Sequence, residues 1–194
     1  MKLLGISGSL TPSSRTVEVI RLVLDHAVAI DPTVEAELLD LRHYEVVFCD
    51  GRNPADYDGD TRIVIDKIAE ADAYVVGSPA YRASYTGALK NLFDLVPNDA
   101  PFGKVAGIVL TAGSDHHFLA VEHQLRPLLS FFQMQTVPGA VYAQNAHFQD
   151  GRLVDEGVRE QCRRLAEGIV GLWRATRAEL VGPAYPTIRR VPSR

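Results

Sequence analysis

The sequence of 194 residues has two cysteines and no apolar run long enough to cross a membrane. Cys49 and Cys162 lie far apart without a CxxC motif, so they form neither a disulfide framework nor a zinc motif. This usage favours a reducing compartment, and we expect a cytoplasmic protein. The short apolar start, residues 1–7, ends at a glycine and a serine. It is interpreted as a first strand, because a signal peptide needs a longer apolar core.

The sequence also lacks an excess of positive charge. Lys and Arg number 20 against 24 Asp and Glu, a net charge of −4, which excludes a nucleic-acid-binding surface as the main feature. The last fourteen residues, 181–194, are an exception, since they contain three Arg, three Pro and no acid. We therefore predict one domain over residues 1–180. The tail, 181–194, is predicted to be disordered or to pack on a neighbouring subunit.

What the sequence does contain is a regular alternation of short apolar runs and helical periodicity. Strands are predicted at residues 2–7, 34–41, 73–77, 105–111 and 137–143. Helices are predicted at residues 16–28, from a cap at Asp60 or Thr61 to about 71, and at 86–96, 117–132 and 155–178. Strands that alternate with helices indicate an α/β domain with a mostly parallel sheet.

The loops after the first, third and fourth predicted strands have unusual compositions. Ligands of open α/β sheets bind beyond the carboxyl ends of the strands, where the strand order reverses. In the order 2-1-3-4-5 these three loops are neighbours, whereas in the order 3-2-1-4-5 the third strand is remote. The pattern therefore favours a flavodoxin-like three-layer sandwich with a five-stranded parallel sheet of order 2-1-3-4-5.

The first of these loops, residues 8–16, predicts an anion site. It combines five hydroxyl side chains with Arg15 and leads directly into a helix, whose N-terminus attracts anions. A capped helix start is the simpler alternative. GxGxxG and GxxxxGK[ST] are both absent, so the loop fits a monophosphate better than the phosphates of a dinucleotide or nucleoside triphosphate. Asp40 resembles the ribose-binding acid of dinucleotide folds, but without the glycines it is better explained as a strand-end residue.

The second and third loops are suited to close approach of a flat ligand. Residues 77–87 combine Pro79 with two small alanines, an arginine and two tyrosines, so that a planar heteroaromatic ring could lie against them. An ordinary loop with two half-buried tyrosines is equally compatible. The third loop, residues 111–117, has small residues followed by His116 and His117. Adjacent histidines point in different directions, and we expect no metal site there.

Three segments resemble the NADPH-dependent FMN reductases with a flavodoxin-like fold. They are Gly8-Ser9 with Ser14-Arg15-Thr16, residues 77–90, and residues 119–127. The last segment is similar to the fourth helix of one branch, the flavin reductases that supply two-component alkanesulfonate monooxygenases. The resemblance extends over roughly residues 1–175.

The resemblance implies bound FMN and a hydride transfer from NADPH or NADH to flavin N5, with no obligatory side-chain acid or base. The FMN phosphate would lie near Ser9, Ser14, Arg15 and Thr16; Pro79, Ala80, Tyr81 and Arg82 would line the isoalloxazine, and Gly113 and Ser114 would approach its other edge. In that branch, the reduced flavin passes to a partner monooxygenase. Two alternatives stay open: a quinone, azo-dye or chromate reductase that retains FMN, and a non-enzymatic flavodoxin-type electron carrier.

The fourth predicted helix contains Pro127, which has no N–H to donate to the carbonyl of His123. We therefore predict a kink or a π-bulge around residues 119–127. His123 stands where the resembling branch has an inserted residue, often Tyr, and could lie near the flavin, pair across an interface or have no role. We also predict a homodimer or homotetramer that buries the third and fourth helices, on the basis of Leu92, Phe93, Leu95, Leu125, Leu128 and Phe132.

Overall fold

The computed structural model describes residues 1–177 and 179–185. The strands are β1 (Lys2–Ser7), β2 (Glu35–Asp40), β3 (Ala73–Pro79), β4 (Val105–Ala112), β5 (Gln135–Thr136), β6 (Val141–Gln144), β7 (Phe148–Gln149) and β8 (Arg152–Leu153). The α-helices are α1 (Arg15–Ile30), α2 (Gly59–Glu70), α3 (Gly87–Leu95), α4 (Arg126–Phe131) and α5 (Glu156–Thr176). Strands and helices alternate as the apolar pattern predicted.

The main sheet is parallel, with the order β2-β1-β3-β4-β5, so the predicted 2-1-3-4-5 topology is confirmed. The fifth predicted strand, residues 137–143, is split into two short pieces, β5 and β6, which both pair with β4. Pro138 and Gly139 lie between the pieces. A proline cannot donate a ladder hydrogen bond, and this explains the interruption.

The sheet is covered on both faces, which accounts for the nearly continuous apolar composition of its strands. On one face, α1 and α5 pack on the sheet; on the other lie α2, α3 and the region of α4. Gly107 in β4 permits a close approach of α5, because a Cβ there would lie 2.6 Å from Cδ1 of Ile169. Within the described residues, no helix has the length and apolar character needed to span a membrane.

The predicted cap of α2 is wrong. The helix begins at Gly59, after Asp58, and not after Asp60 or Thr61. The side chains of those two residues are engaged elsewhere: the Asp60 carboxylate accepts the backbone N–H of Glu45 at 2.8 Å, and the Thr61 hydroxyl accepts that of Val47 at 3.1 Å. They hold the long connection after β2 against the helix.

The predicted distortion of the fourth helix is confirmed. A 3₁₀ turn, Asp115–His117, and a π-helical turn, Val121–Leu125, precede the short helix α4. Pro127 cannot complete an α-helical ladder, and the backbone N–H of Arg126 bonds to the carbonyl of Val121, five residues back. The Arg126 side chain also donates to the carbonyls of Val137 and Pro138, at 3.1 and 2.9 Å, and so ties this turn to the interrupted fifth strand.

The described part of the tail contacts its own chain. The carbonyl of Glu179 accepts a hydrogen bond of 2.9 Å from Gln135, and the backbone N–H of Tyr185 donates to the side chain of Gln133 at 2.6 Å. Residues 186–194 lie outside the described residues. The predicted disposition of the tail therefore stays a prediction.

Candidate functional site

The three loops of unusual composition meet at the carboxyl edge of the sheet and enclose a cavity of about 280 Å³. Its lining consists of Ser9, Thr11, Ser13, Arg15, Thr16, Pro79, Ala80, Tyr81, Thr111, Ala112, Gly113 and Asn145. Of the ten predicted binding residues, Ser14, Arg82 and Ser114 are outside this lining. The convergence is the one that parallel topology predicts for a ligand site.

The first loop provides a polar end to the cavity. The Ser9 and Thr11 hydroxyls lie 3.1 Å apart. Ser14 caps α1, because its hydroxyl accepts the backbone N–H of Val17 at 3.2 Å. Among the described residues, no partner accepts the backbone N–H of Thr11 or Ser13. The loop therefore has donor capacity that an anion could take up.

Arg15, the first residue of α1, is exposed at the cavity wall. One of its guanidinium nitrogens donates to the side-chain oxygen of Asn145 at 2.6 Å, and its guanidinium carbon lies 5.5 Å from the ring centroid of Phe148. Within the described part of the chain, no carboxylate forms a salt bridge with Arg15. The side chain is held in place while its charge is available to a ligand.

Thr16 connects two of the loops. It is buried, and its hydroxyl lies 2.7 Å from that of Thr111 at the end of β4. The backbone N–H of Ala80 donates to the carbonyl of Thr111 at 2.7 Å, which draws the second loop to the same point. These contacts fix the relative positions of the three loops around the cavity.

The second loop contains a tight two-residue turn. Tyr81 and Ser84 exchange backbone hydrogen bonds of 2.8 and 3.1 Å across Arg82 and Ala83. Both turn residues have left-handed backbone conformations, with φ of 52° and 66°, which cost a non-glycine residue about 1–3 kcal/mol each. Strain of this kind is concentrated at ligand-binding segments. The turn leaves Tyr81 about half exposed at the cavity wall.

A second cavity of about 420 Å³ adjoins the first and shares Ala80 and Tyr81 with it. Arg82 lines this second cavity together with His117. Arg82 therefore shares a cavity with Ala80 and Tyr81 but not with Pro79, although the sequence analysis grouped all four around one ring.

The third loop contributes Gly113 to the main cavity, but Ser114 is engaged elsewhere. The Ser114 hydroxyl lies 3.0 Å from Nδ1 of His116, and its carbonyl accepts the Tyr142 hydroxyl. Burial raises the pKa of Tyr142, whose hydroxyl is the donor in this bond. Among the described residues, no three potential metal ligands lie together.

The cavity also contains residues that the sequence analysis did not single out, namely Thr11, Ser13, Thr111, Ala112 and Asn145. Asn145 directly follows β6, so the carboxyl-edge rule applied to the fifth strand would have found it. Asp40 is absent from the lining and pairs with Arg42. This supports its interpretation as a strand-end residue.

The chemistry of the cavity fits FMN. One end has hydroxyls, backbone donors without a described partner and an arginine, which suit a phosphate, and Pro79, Ala80 and the aromatic Tyr81 form part of the wall, which suits a flavin ring. Residues 1–148 match the family model described as NADPH-dependent FMN reductase. The chain belongs to the NADPH-dependent FMN reductase family. Its enzyme class is NAD(P)H:FMN oxidoreductase, and the resemblance found in the sequence is confirmed.

Two relatives extend the match over most of the chain. A protein of Geobacillus thermodenitrificans named NAD(P)H-dependent FAD/FMN reductase is 47% identical over 171 residues, which cover 88% of this chain and 92% of the relative. A Pseudomonas putida protein, the NADH-dependent FMN reductase SfnF, is 31% identical and covers 87% of this chain and 91% of the relative. Among solved structures, the apo form of the NADH:FMN oxidoreductase EMOB is similar, with a TM-score of 0.74, 26% identity and 87% of each chain covered.

Proposed function

We propose that the main cavity binds FMN with its phosphate at the first loop and its ring against the second. Ser9, Thr11, Ser13 and Arg15 would hold the phosphate through hydroxyls, free backbone donors and one cation. Ser14 supports this end indirectly, because it caps α1. The observation that carries the proposal is that one cavity brings together Arg15, the unpartnered backbone donors of the first loop and the Pro79–Tyr81 wall.

The second loop would hold the isoalloxazine mainly through its shape. Pro79, Ala80 and Tyr81 would form one wall for the ring. Gly113 would lie at the opposite edge of the ring, where the absence of a side chain leaves space: the nearest atom to an added Cβ would be Nδ2 of Asn145, at 3.9 Å. Thr16 and Thr111 would keep the two sides at a fixed separation through their hydroxyl contact. Ser114 would help to position the third loop beside the ring, because its carbonyl accepts a hydrogen bond from the Tyr142 hydroxyl.

The adjoining cavity would receive NADPH or NADH. Arg82 and His117 line it, and an exposed arginine beside a flavin site would attract an anionic dinucleotide. FMN held in the main cavity would supply the electron-accepting chemistry, and a dinucleotide held beside Arg82 and His117 would be the hydride donor. The protein residues named here would position the two ligands next to each other.

We further propose that reduced flavin is supplied to a partner monooxygenase. The support is the residue pattern of 119–127, with its π-helical turn, which resembles the flavin-supplying branch. A reductase that retains FMN and reduces quinones, azo dyes or chromate is the second candidate, because the same site chemistry serves it. A flavodoxin-type carrier is less well supported, since Arg15 and Arg82 at the two cavities favour a dinucleotide.

Stopped-flow reduction of the purified protein with each nicotinamide, with and without added FMN, tests the proposal. We expect steady-state NAD(P)H oxidation to depend on added FMN and to saturate with it. Oxidation that proceeds with a quinone but is independent of added FMN would contradict the flavin-supplying role. Absence of reduction by either nicotinamide would contradict the enzyme and favour the carrier.

A homodimer or homotetramer remains part of the proposal, but the residues that support an interface differ from those predicted from the sequence. Of the six apolar residues that suggested an interface, all except Leu128 are buried within the chain's own core. Phe118, Leu119 and Phe131 are more than half exposed around the π-helical turn and are better candidates. Light scattering at micromolar concentration would test assembly, and deletion of residues 181–194 would test whether the tail contributes to it.

A further inference from the structure

An ion pair between the buried Asp40 and the partly exposed Arg42 contacts the first loop from outside the cavity. Asp40, at the end of β2, is 2% exposed and accepts two hydrogen bonds from Nε of Arg42, at 2.9 and 3.1 Å, and a further one from its Nη2. The backbone N–H of Arg42 also donates to Asp40, at 3.2 Å. Burial opposes ionisation of Asp40, but the hydrogen bonds from Arg42 outweigh it and lower its pKa. The guanidinium is therefore held in one orientation.

The other side of the same guanidinium holds the first loop. Nη1 of Arg42 donates to the carbonyl of Thr11 at 3.1 Å and to the carbonyl of Pro12. The ends of the loop are fixed separately, since the Thr86 hydroxyl donates to the carbonyl of Gly8 and Ser14 caps α1. Among the described residues, Arg42 is the one group outside the loop that bonds to residues 10–13.

The bond from Arg42 to the Pro12 carbonyl also orients the N–H of Ser13. In a trans peptide the C=O and the following N–H point in opposite directions, and the described chain contains no cis peptide. A Pro12 carbonyl held towards Arg42 therefore directs the N–H of Ser13 away from Arg42. Ser13 lines the cavity, and its N–H has no partner among the described residues.

We infer that Arg42, anchored by Asp40, is a positioning residue that fixes the first loop in the form that presents the Ser13 N–H to the flavin phosphate. The inference rests on the proposed placement of FMN. Arg42 itself does not line the cavity. Its effect is therefore transmitted through the loop backbone, and it must depend on the ligand's phosphate and not on its ring.

The chain offers a matched control for this pair. Asp50, Gly51 and Arg52 repeat the Asp-x-Arg arrangement, with Nε of Arg52 at 3.0 and 2.9 Å from the carboxylate oxygens and a backbone bond of 3.2 Å. Arg52 is half exposed, contacts the ring of Tyr57 and bonds to no residue of the first loop. Loss of a local Asp-x-Arg pair can thus be separated from loss of the loop contact.

The test is the dissociation constant for FMN and for riboflavin, which lacks the phosphate, measured by flavin fluorescence. Wild-type protein should bind FMN more tightly than riboflavin. Arg42→Ala should weaken FMN binding about tenfold or more and change riboflavin binding less than twofold. Arg42→Lys keeps the charge without the fork and should give a smaller loss, and Arg52→Ala should change neither constant.

The outcomes separate the inference from the proposed function. If Arg42→Ala and Arg42→Lys change the two constants by the same factor, or change neither, Arg42 has no role in phosphate positioning. If wild-type protein binds the two flavins equally tightly, the phosphate assignment itself fails. Should Arg42→Ala fail to fold, the ratio of the constants in Arg42→Lys decides, because a general loosening of the protein would affect both flavins alike.

Discussion

The polar groups at the two edges of the same sheet differ in whether they have hydrogen-bond partners within the protein. At the amino edge they are paired within the protein: the Lys104 ammonium donates to the carbonyl of Ala69 at 2.7 Å, and the buried Tyr74 hydroxyl donates to that of Ile68 at 2.7 Å. At the carboxyl edge, and within the described part of the chain, the N–H groups of Thr11 and Ser13 have no partner and Arg15 forms no salt bridge.

The difference indicates that the amino edge contributes mainly to stability and that the carboxyl edge can bind a ligand. Thr11 and Ser13 are exposed, so their N–H groups are available to a ligand that supplies an acceptor, whereas the paired groups at the amino edge stabilise the fold. Substitutions at the amino edge should therefore change the free energy of unfolding and leave flavin binding unchanged. Substitutions at the carboxyl edge should mainly weaken flavin binding, with a smaller change in the free energy of unfolding.

The largest effect on binding is expected from Arg15→Ala. It should weaken FMN binding by about 1–3 kcal/mol, through the loss of charge-assisted hydrogen bonds to the phosphate. The free energy of unfolding should change little, because the contacts of Arg15 are exposed. Arg21→Ala is the matched control, since it removes the same charge about 9 Å further along α1. Fluorescence titration that finds unchanged FMN affinity in Arg15→Ala would refute the phosphate assignment.

Two tyrosines, one at each edge, allow the effects on stability and on FMN binding to be compared with the same substitution, and the expected effects are smaller. Tyr74→Phe removes the bond to the Ile68 carbonyl at the amino edge, and we expect a loss of about 1–2 kcal/mol in stability with normal FMN affinity. Tyr142→Phe releases the Ser114 carbonyl at the carboxyl edge, and we expect a loss of about 1 kcal/mol or less in stability with FMN affinity reduced a few-fold. Chemical denaturation and titration of both variants measure this, and weaker FMN binding in Tyr74→Phe alone would reverse the contrast.

The smallest expected effect is on the free energy of unfolding at acidic pH. Hydrogen bonds from Thr33 and then Arg174 lower the pKa of Asp31, at the amino edge, from 3.8 to about 2, and the Arg42 bonds lower that of Asp40 despite its burial. A carboxyl group with a lowered folded pKa contributes stability that is present above about pH 4 and lost as the pH falls through the folded value. Urea unfolding should therefore show stability decreasing between pH 4 and pH 2. Asp31→Asn and Asp40→Asn should each reduce this slope, but Asp40→Asn alone should weaken FMN binding at pH 7.

The sequence predicted features that depend on local pattern. Apolar runs located the strands, and Pro127 located the π-helical turn because a missing N–H has the same consequence in any helix. The break in the fifth strand was also visible, since Pro138 lies inside the predicted run. The carboxyl-edge rule brought the right loops together and missed Asn145 only because it was not extended to the fifth strand.

What could not be predicted depends on contacts between distant segments. The Asp60 and Thr61 side chains were suitable helix caps, but the backbone donors that engage them come from residues about fifteen positions earlier. The contact of Arg42 with the Pro12 carbonyl likewise joins residues that only the pairing of β1 with β2 brings together. Ser114 had a composition typical of a binding loop, yet its groups are engaged by His116 and Tyr142.

Hydrogen exchange with and without FMN tests the contrast between the two edges most directly. We predict that FMN slows exchange in residues 8–16, 79–84 and 111–116, at the carboxyl edge. The amino-edge connections, residues 31–34, 70–72 and 97–104, should exchange at unchanged rates. Slower exchange confined to the amino edge, or no change in the first loop at a saturating FMN concentration, would contradict the placement of the flavin in this cavity.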